Sequence, residues 1–278
     1  MHSPMILVFY LLFTMASGCT DNNDRSTTGA AVQSTSDEQE QQRHKQEQRA
    51  QLRPITGGRF AHRPRLPGLA FTINQTWDAQ PSGHQPYTFR LDWHFERQPG
   101  KPHRRAIRVD MRGPLFDDPD APDELPGYCG NLWEYEVFEL FFLNDRQEYL
   151  EVEIGPHGHW LVLLLRGVRQ PFNKGEELDI NIVTNEHADG GQQWHVQFDI
   201  PIAYLPANVT KFNAYAIHGS GTDRHYDALF PVTDGNFTEP DFHRLQFFQS
   251  VDFGQLLPEG INDRPYLDFT IGELWGAK

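Results

Sequence analysis

Cysteine is almost missing from this chain. Cys19 and Cys129 are its only two among 278 residues, and they stand in segments of quite different character, so no disulfide framework staples the folded part. CxxC metal pairs are excluded on the same ground. Basic residues are scarce as well: 24 Lys and Arg face 38 Asp and Glu, for a formal net charge of −14 at pH 7. Nucleic acid and anionic membrane surfaces select basic patches, so neither is an expected partner. The chain has no Walker motif, no H-E-x-x-H, no G-x-S-x-G and no internal repeat. Between Thr20 and Arg59 there is no aromatic residue and little aliphatic content.

What is present divides the chain into three parts. Met5 to Met15 is an apolar run, followed by Ala16-Ser17-Gly18, small residues suited to a signal peptidase. The run is shorter than the roughly 20 apolar residues a membrane span requires. Residues 1–18 therefore read as a signal peptide, and the protein as exported, either secreted or membrane-tethered. Cys19 directly after Ala-Ser-Gly resembles a lipoprotein cleavage box, in which Cys19 would carry lipid; a plain signal peptide with an incidental cysteine is the alternative. Residues 19–65 are polar on every side, most of all at 37–51, and have no face to bury, so they read as a disordered tether. Residues 66–278 are rich in aromatics and form one domain. The sequons at Asn74, Asn208 and Asn236 matter only in an exported eukaryotic chain.

Period-two alternation recurs through that domain. Tyr87, Phe89, Leu91, Trp93 and Phe95 alternate with polar residues, as do Ile107, Val109 and Met111, then Leu150, Val152 and Ile154, then Trp194, Val196, Phe198 and Ile200. Each run has one core face and one polar face, the mark of antiparallel sheets. Val137–Leu143 and Trp160–Leu165 are instead apolar on both faces and should be central strands covered on both sides. The expected fold is all-β: an antiparallel, jelly-roll-like β-sandwich. Residues 134–143, 148–155 and 159–165 are its consecutive central strands, divided by turn signals at Asn144-Asp145 and Gly155-Pro156.

Several blocks carry a resemblance: L-W-E-Y-E-V-F-E-L-F-F-L-N-D (132–145), Y-L-E-V-E-I-G-P-H-G (149–158), N-V-T-K-F-N-A-Y-A-I-H-G-S (208–220), Y-D-A-L-F-P-V (226–232) and P-D-F-H-R-L (240–245). In this order they resemble a family of uncharacterised proteins of the UPF type from animals and microbes, which implies kinship and no activity. More distantly, the Trp, the acidic strand V-x-E-x-F-F and E-V-E-x-x-P-x-G are similar to family 9 carbohydrate-binding modules and DOMON-like sandwiches. That likeness implies an extracytoplasmic jelly roll that binds sugar or haem, and it puts Trp133 and Glu139 on motif positions. The sugar-binding modules clamp a ring between two Trp side chains, and the second Trp has no obvious counterpart here.

Glu139 sits between apolar neighbours, where an ionised carboxylate is costly unless paired. Arg108, Arg112 or a backbone amide would pair it in a structural reading; in a functional one it orients a ligand. Glu151 and Glu153 fall on the polar face of their strand and read as solvated or cross-strand paired. His157 and His159 share a strand face and, with His218 and His243, form a possible metal set; turn histidines bonded to backbone are the alternative. The expected ligand site is one polar cleft holding Trp133, Glu139, Glu153, His157 and His218, with no catalytic residue, metal or cofactor specified.

Three functions follow. An exported module binding a carbohydrate or other polar small ligand is preferred. A glycan hydrolase acting through paired carboxylates or a metal is the second. A haem-binding electron-transfer sandwich is the third, and Met111 would be its sole methionine ligand within the domain.

Overall fold

The computed structural model describes residues 65–97, 103–175, 178–186, 191–265 and 274–276. The expected signal peptide, Cys19 and residues 19–64 of the tether lie outside the described residues. In chain order the strands are β1 (Leu69–Ile73), β2 (Tyr87–Glu96), β3 (Arg104–Pro114), β4 (Gly127–Tyr128), β5 (Val137–Asn144), β6 (Glu148–Ile154), β7 (His159–Arg166), β8 (Pro171–Lys174), β9 (Asp179–Glu186), β10 (Gln192–Pro201), β11 (Val209–His218), β12 (His225–Ala228) and β13 (Gln249–Ser250). Among the described residues the only helical elements are short 3-10 turns.

Two sheets form the sandwich. One runs β1-β2-β3-β10-β9; the other runs β12-β11-β5-β6-β7-β4, with β8 on β7 and β13 on β11. All pairings are antiparallel except the two-residue β4, which lies parallel to β7 and makes the second sheet mixed. The alternating positions interdigitate between the sheets. Phe89 meets Phe138 edge-on at 5.2 Å, and Phe71 stacks on Phe212 at 5.3 Å. Met111 is fully buried in this inter-sheet core.

The three central strands follow one another as the turn signals imply. The Asn144 side chain accepts hydrogen bonds from the backbone N–H groups of Arg146 (2.9 Å) and Glu148 (3.0 Å). That local Asx geometry reverses the chain between β5 and β6. At the next turn, the Gly155 N–H donates to the His159 carbonyl, and Gly158 takes φ +90, which suits glycine. β5 begins at Val137 rather than 134, because Leu132–Glu134 closes into a 3-10 turn.

All eight residues of β5 are buried. Its even residues face the other sheet; its odd residues meet a second apolar layer that includes Leu132, Phe141, Tyr215, Phe242, Leu245 and Phe248. The 240–248 segment supplies part of this cover. Asp241 pairs with Arg169 at 3.0 Å, Tyr149 Oη meets His243 Nδ1 at 2.8 Å, and Phe242 stacks on Tyr215 at 3.8 Å.

At Gly113 on β3 a Cβ would lie 2.0 Å from the ring of the buried Tyr87 on the neighbouring strand. Gly113→Ala should therefore cost about 1–3 kcal/mol through overpacking, read as a lower urea midpoint. Gly130→Ala, whose Cβ meets nothing closer than 3.9 Å, should stay within about 0.5 kcal/mol of wild type.

Candidate functional site

Because side chains alternate across a strand, the register decides which residues meet on the outer face of the second sheet. Glu139 is paired with Tyr215 on one side and Glu153 on the other, and Glu153 with Leu161. The neighbouring row is Asn213, Phe141, Glu151 and Leu163. Three carboxyl groups thus share one patch. Directly opposed residues of an antiparallel pair have Cβ atoms about 4.5–5.5 Å apart, so Glu139 and Glu153 are immediate neighbours.

These acids are not solvated. Glu139 is 2% exposed, Glu151 4% and Glu153 0%. The polar face expected for β6 is polar only in composition, since the outer layer covers it. Burial pushes all three carboxyls up: Glu151 to about 7, Glu139 and Glu153 well above the usual carboxylate range. Mutual repulsion adds to burial for Glu139 and Glu153, each beside another carboxylate. The contact between the Glu151 and Glu153 carboxyls lowers Glu151 and raises Glu153. Oε2 of Glu151 and both carboxyl oxygens of Glu153 are buried, and no group outside the patch bonds them.

The expected arginine partners are elsewhere. Arg108 is on the other sheet, bound to Asp199 at 2.8 Å, and Arg112 is an exposed residue beside Asp110. Both occupy positions of β3 that alternate with its core residues, so the whole sandwich separates them from Glu139. The cation that acts on Glu139 is Arg224, which lowers its pKa against the larger effect of burial. Arg224 is positioned by the carbonyls of Trp133 (2.5 Å), Glu134 (2.8 Å) and Gly219 (3.0 Å). Trp133 is half-buried against the outer apolar layer, as are Trp77, Tyr135 and Tyr226. Trp77 is the second tryptophan of this layer, and it comes from the connection between β1 and β2.

The remaining expected residues separate. His218 follows Ile217, whose side chain joins the outer layer, and so lies on the opposite face from Glu139 and Glu153. It stacks on Phe116 at 3.5 Å and neighbours His84 and His225, which breaks the single-cleft expectation. Burial holds it down at about 4. His157 bonds Asp117 at 2.8 Å and lines a small cleft with Leu132, Tyr135, Glu136 and His159. The four-histidine metal set is dispersed too. His159 Nε2 meets the Glu124 carbonyl at 2.9 Å, and His243 meets Tyr149.

Glu136 carried no signal that sequence pattern would rank. Burial raises it to about 7 although the Phe116 and Asp117 N–H groups bond it. His225 and Asp227 did carry one, the i, i+2 spacing in H-Y-D that puts two side chains on one strand face.

No protein-family model matches the chain. The UPF0462 protein C4orf33 homolog of Mus musculus is 43% identical over 196 residues, covering 69% of this chain and 95% of that protein. Among solved structures, a candidate carbohydrate-binding protein from Bacteroides uniformis gives a TM-score of 0.44 at 13% identity, covering 66% of this chain and 85% of that one. A family 9 carbohydrate-binding module from Caldicellulosiruptor kristjanssonii in complex with glucose gives 0.31 at 11% identity, covering 60% and 76%.

The carboxyl patch has a pH signature. The folded state keeps a proton on Glu151 between the ordinary value of 4.5 and about 7, while the unfolded chain releases it. Unfolding then releases a proton, and stability falls as pH rises through that window; Glu139 and Glu153 extend it upward. Glu153→Gln should leave stability near wild type at pH 4 and raise it by about 1–3 kcal/mol at pH 8, measured by urea unfolding at both pH values.

Proposed function

The chain belongs to the UPF0462 family, and we propose that it is a binding module whose outer sheet face takes a hydroxyl-rich small ligand, a carbohydrate in the first place. One observation carries this reading: a patch of three buried carboxyls in which oxygens of Glu151 and Glu153 have no partner outside the patch. Unpartnered buried acceptors cost free energy that a donor from a ligand would recover. The upward shift favours the protonated form of these carboxyls, in which a group offers an O–H donor and a C=O acceptor. A sugar hydroxyl, itself donor and acceptor, complements that pair better than a simple cation does. Trp133 and Trp77, half-buried in the same layer, supply flat apolar surfaces against which the CH face of a sugar ring packs. Arg224 holds the Trp133 segment by its carbonyls.

The ligand must displace part of the cover, because the carboxyls are buried under it. The 240–248 segment is the part to move, being held by side-chain packing and a few polar contacts rather than by a strand ladder. On this reading Glu139→Gln and Trp133→Ala each weaken binding about tenfold or more, without the fall in melting temperature that loss of a structural ion pair would cause, in calorimetric titrations of sugars first identified on a glycan array. A wild-type chain that captures no glycan overturns the carbohydrate assignment. Turnover of a captured glycan, lost in Glu139→Gln, replaces it with the hydrolase reading.

Export is part of the same proposal, resting on the pattern of residues 1–19. Asn74, Asn208 and Asn236 are all exposed, as modification in a eukaryotic secretory route would require. Intact mass of the protein from its native host should correspond to a chain lacking residues 1–18, and acyl mass on Cys19 identifies the lipid-tethered form. A chain that begins at Met1 contradicts export.

A further inference from the structure

We propose that His84, His218, His225 and Asp227 bind one divalent transition-metal ion of the zinc type. The site lies on the inner side of the second sheet, across it from the carboxyl patch, and does not depend on the ligand reading. His218 and His225 are direct cross-strand partners on β11 and β12, and Asp227 follows two residues later on the same face. His84 reaches the group from the connection between β1 and β2. One donor atom from each residue lies within 4.8 Å of all the others.

The separations suit one metal. A tetrahedral ion with bonds of about 2.0–2.1 Å sets its ligands about 3.4 Å apart. His84 Nε2 stands 3.4 Å from His218 Nε2 and 3.0 Å from Asp227 Oδ2; His225 Nε2 is 3.2 Å from Asp227 Oδ1, and His218 Nε2 is 4.0 Å from Oδ2. The edges among His84, His218 and Oδ2 bracket the ideal one, the His225 contact runs to the other oxygen of the same carboxylate, and closing the set around one ion takes side-chain rotation from separations of up to 4.8 Å.

The hydrogen bonds around the cluster orient its donors inward. His84 Nδ1 is 2.7 Å from the Gln85 carbonyl, an acceptor, so Nδ1 carries the hydrogen and Nε2 is left to face the cluster. There Nε2 lies 3.0 Å from a carboxylate oxygen, so either a proton on the imidazolium or a metal ion occupies the space between the two atoms. His225 Nε2 is buried, and its 3.2 Å contact with Asp227 Oδ1 falls short of hydrogen-bond geometry. Ser82 Oγ donates to Asp227 Oδ1 at 2.6 Å, fixing the carboxylate and leaving Oδ2 for a ligand. Phe116 stacks on His218 and walls off its other face.

Three imidazoles and one carboxylate select zinc and its first-row neighbours. Calcium and magnesium require more oxygen ligands than this site provides. With four protein ligands and no open position, the ion is of the structural kind. It ties the β1–β2 connection to the edge strand β12.

The test is calorimetric titration of the full chain, stripped by chelator, with zinc chloride alone. The expected result is one zinc per chain at micromolar affinity or tighter, a higher melting temperature with zinc, and the visible absorption of four-coordinate cobalt when cobalt(II) is substituted. H84Q and H225Q should each weaken zinc binding about a hundredfold while remaining folded by circular dichroism. His84 lies in a loop, which keeps that variant informative if H225Q does not fold. A folded wild-type chain that binds no zinc at about 100 µM overturns the site and leaves a proton as the occupant. Undiminished binding by a folded H84Q variant also overturns it, placing the metal on others of the 13 histidines. Displacement of zinc by excess calcium overturns the metal class.

Discussion

β5 is buried along its whole length and on both faces, and the architecture follows from that constraint. A strand with one apolar face needs one partner layer; a strand with two needs two. The five-stranded sheet covers the even positions. No third sheet exists among the described residues to cover the odd ones, so 3-10 turns and the extended 240–248 segment do it. A cover of that kind is held by separate side-chain contacts rather than a continuous ladder of backbone hydrogen bonds. It can therefore open at less cost than a strand could be peeled from the sheet.

The same constraint explains the unusual chemistry of the outer face. Glu139, Glu151 and Glu153 would be ordinary solvated carboxylates on a sheet with one wet face. Under the cover burial pushes all three toward the neutral form, and repulsion between neighbours adds to it for Glu139 and Glu153. Such a patch works against stability at alkaline pH, since replacing buried ionisable groups with apolar ones of like volume is often neutral or stabilising. The nearby Arg224 does not cancel the patch: its guanidinium is bonded to backbone carbonyls, and its effect on Glu139 is smaller than that of burial.

Both candidate sites use β11, and they are separated by its pleat. Tyr215 points outward to Glu139, while His218 points inward to His225 and His84. An odd step along an extended strand reverses the face, so two sites of different chemistry are built on adjacent turns of one chain segment without sharing a side chain. The β1–β2 connection reaches both, bringing Trp77 to the outer layer and His84 to the inner cluster. Ordering that connection at the histidines would also steady Trp77.

The amino-acid sequence by itself determined the fold class, the three central strands and the double burial of β5 and β7. All of these are written in local periodicity, and periodicity survives without knowledge of distant contacts. It also determined that Glu139 and Glu153 are neighbours, because one hairpin with an Asn144 turn sets their register. Only the tertiary structure decided that the acids are buried, since the cover comes from residues about a hundred positions later in the chain. It likewise assigned Arg224 rather than Arg108 or Arg112 to Glu139, brought Trp77 beside the layer of Trp133, and removed His218 to the other face. The histidine cluster joins residue 84 to residues 218–227, a separation no periodic signal spans. Local pattern tells which way a side chain points; what waits for it there depends on how the sheets and connections pack.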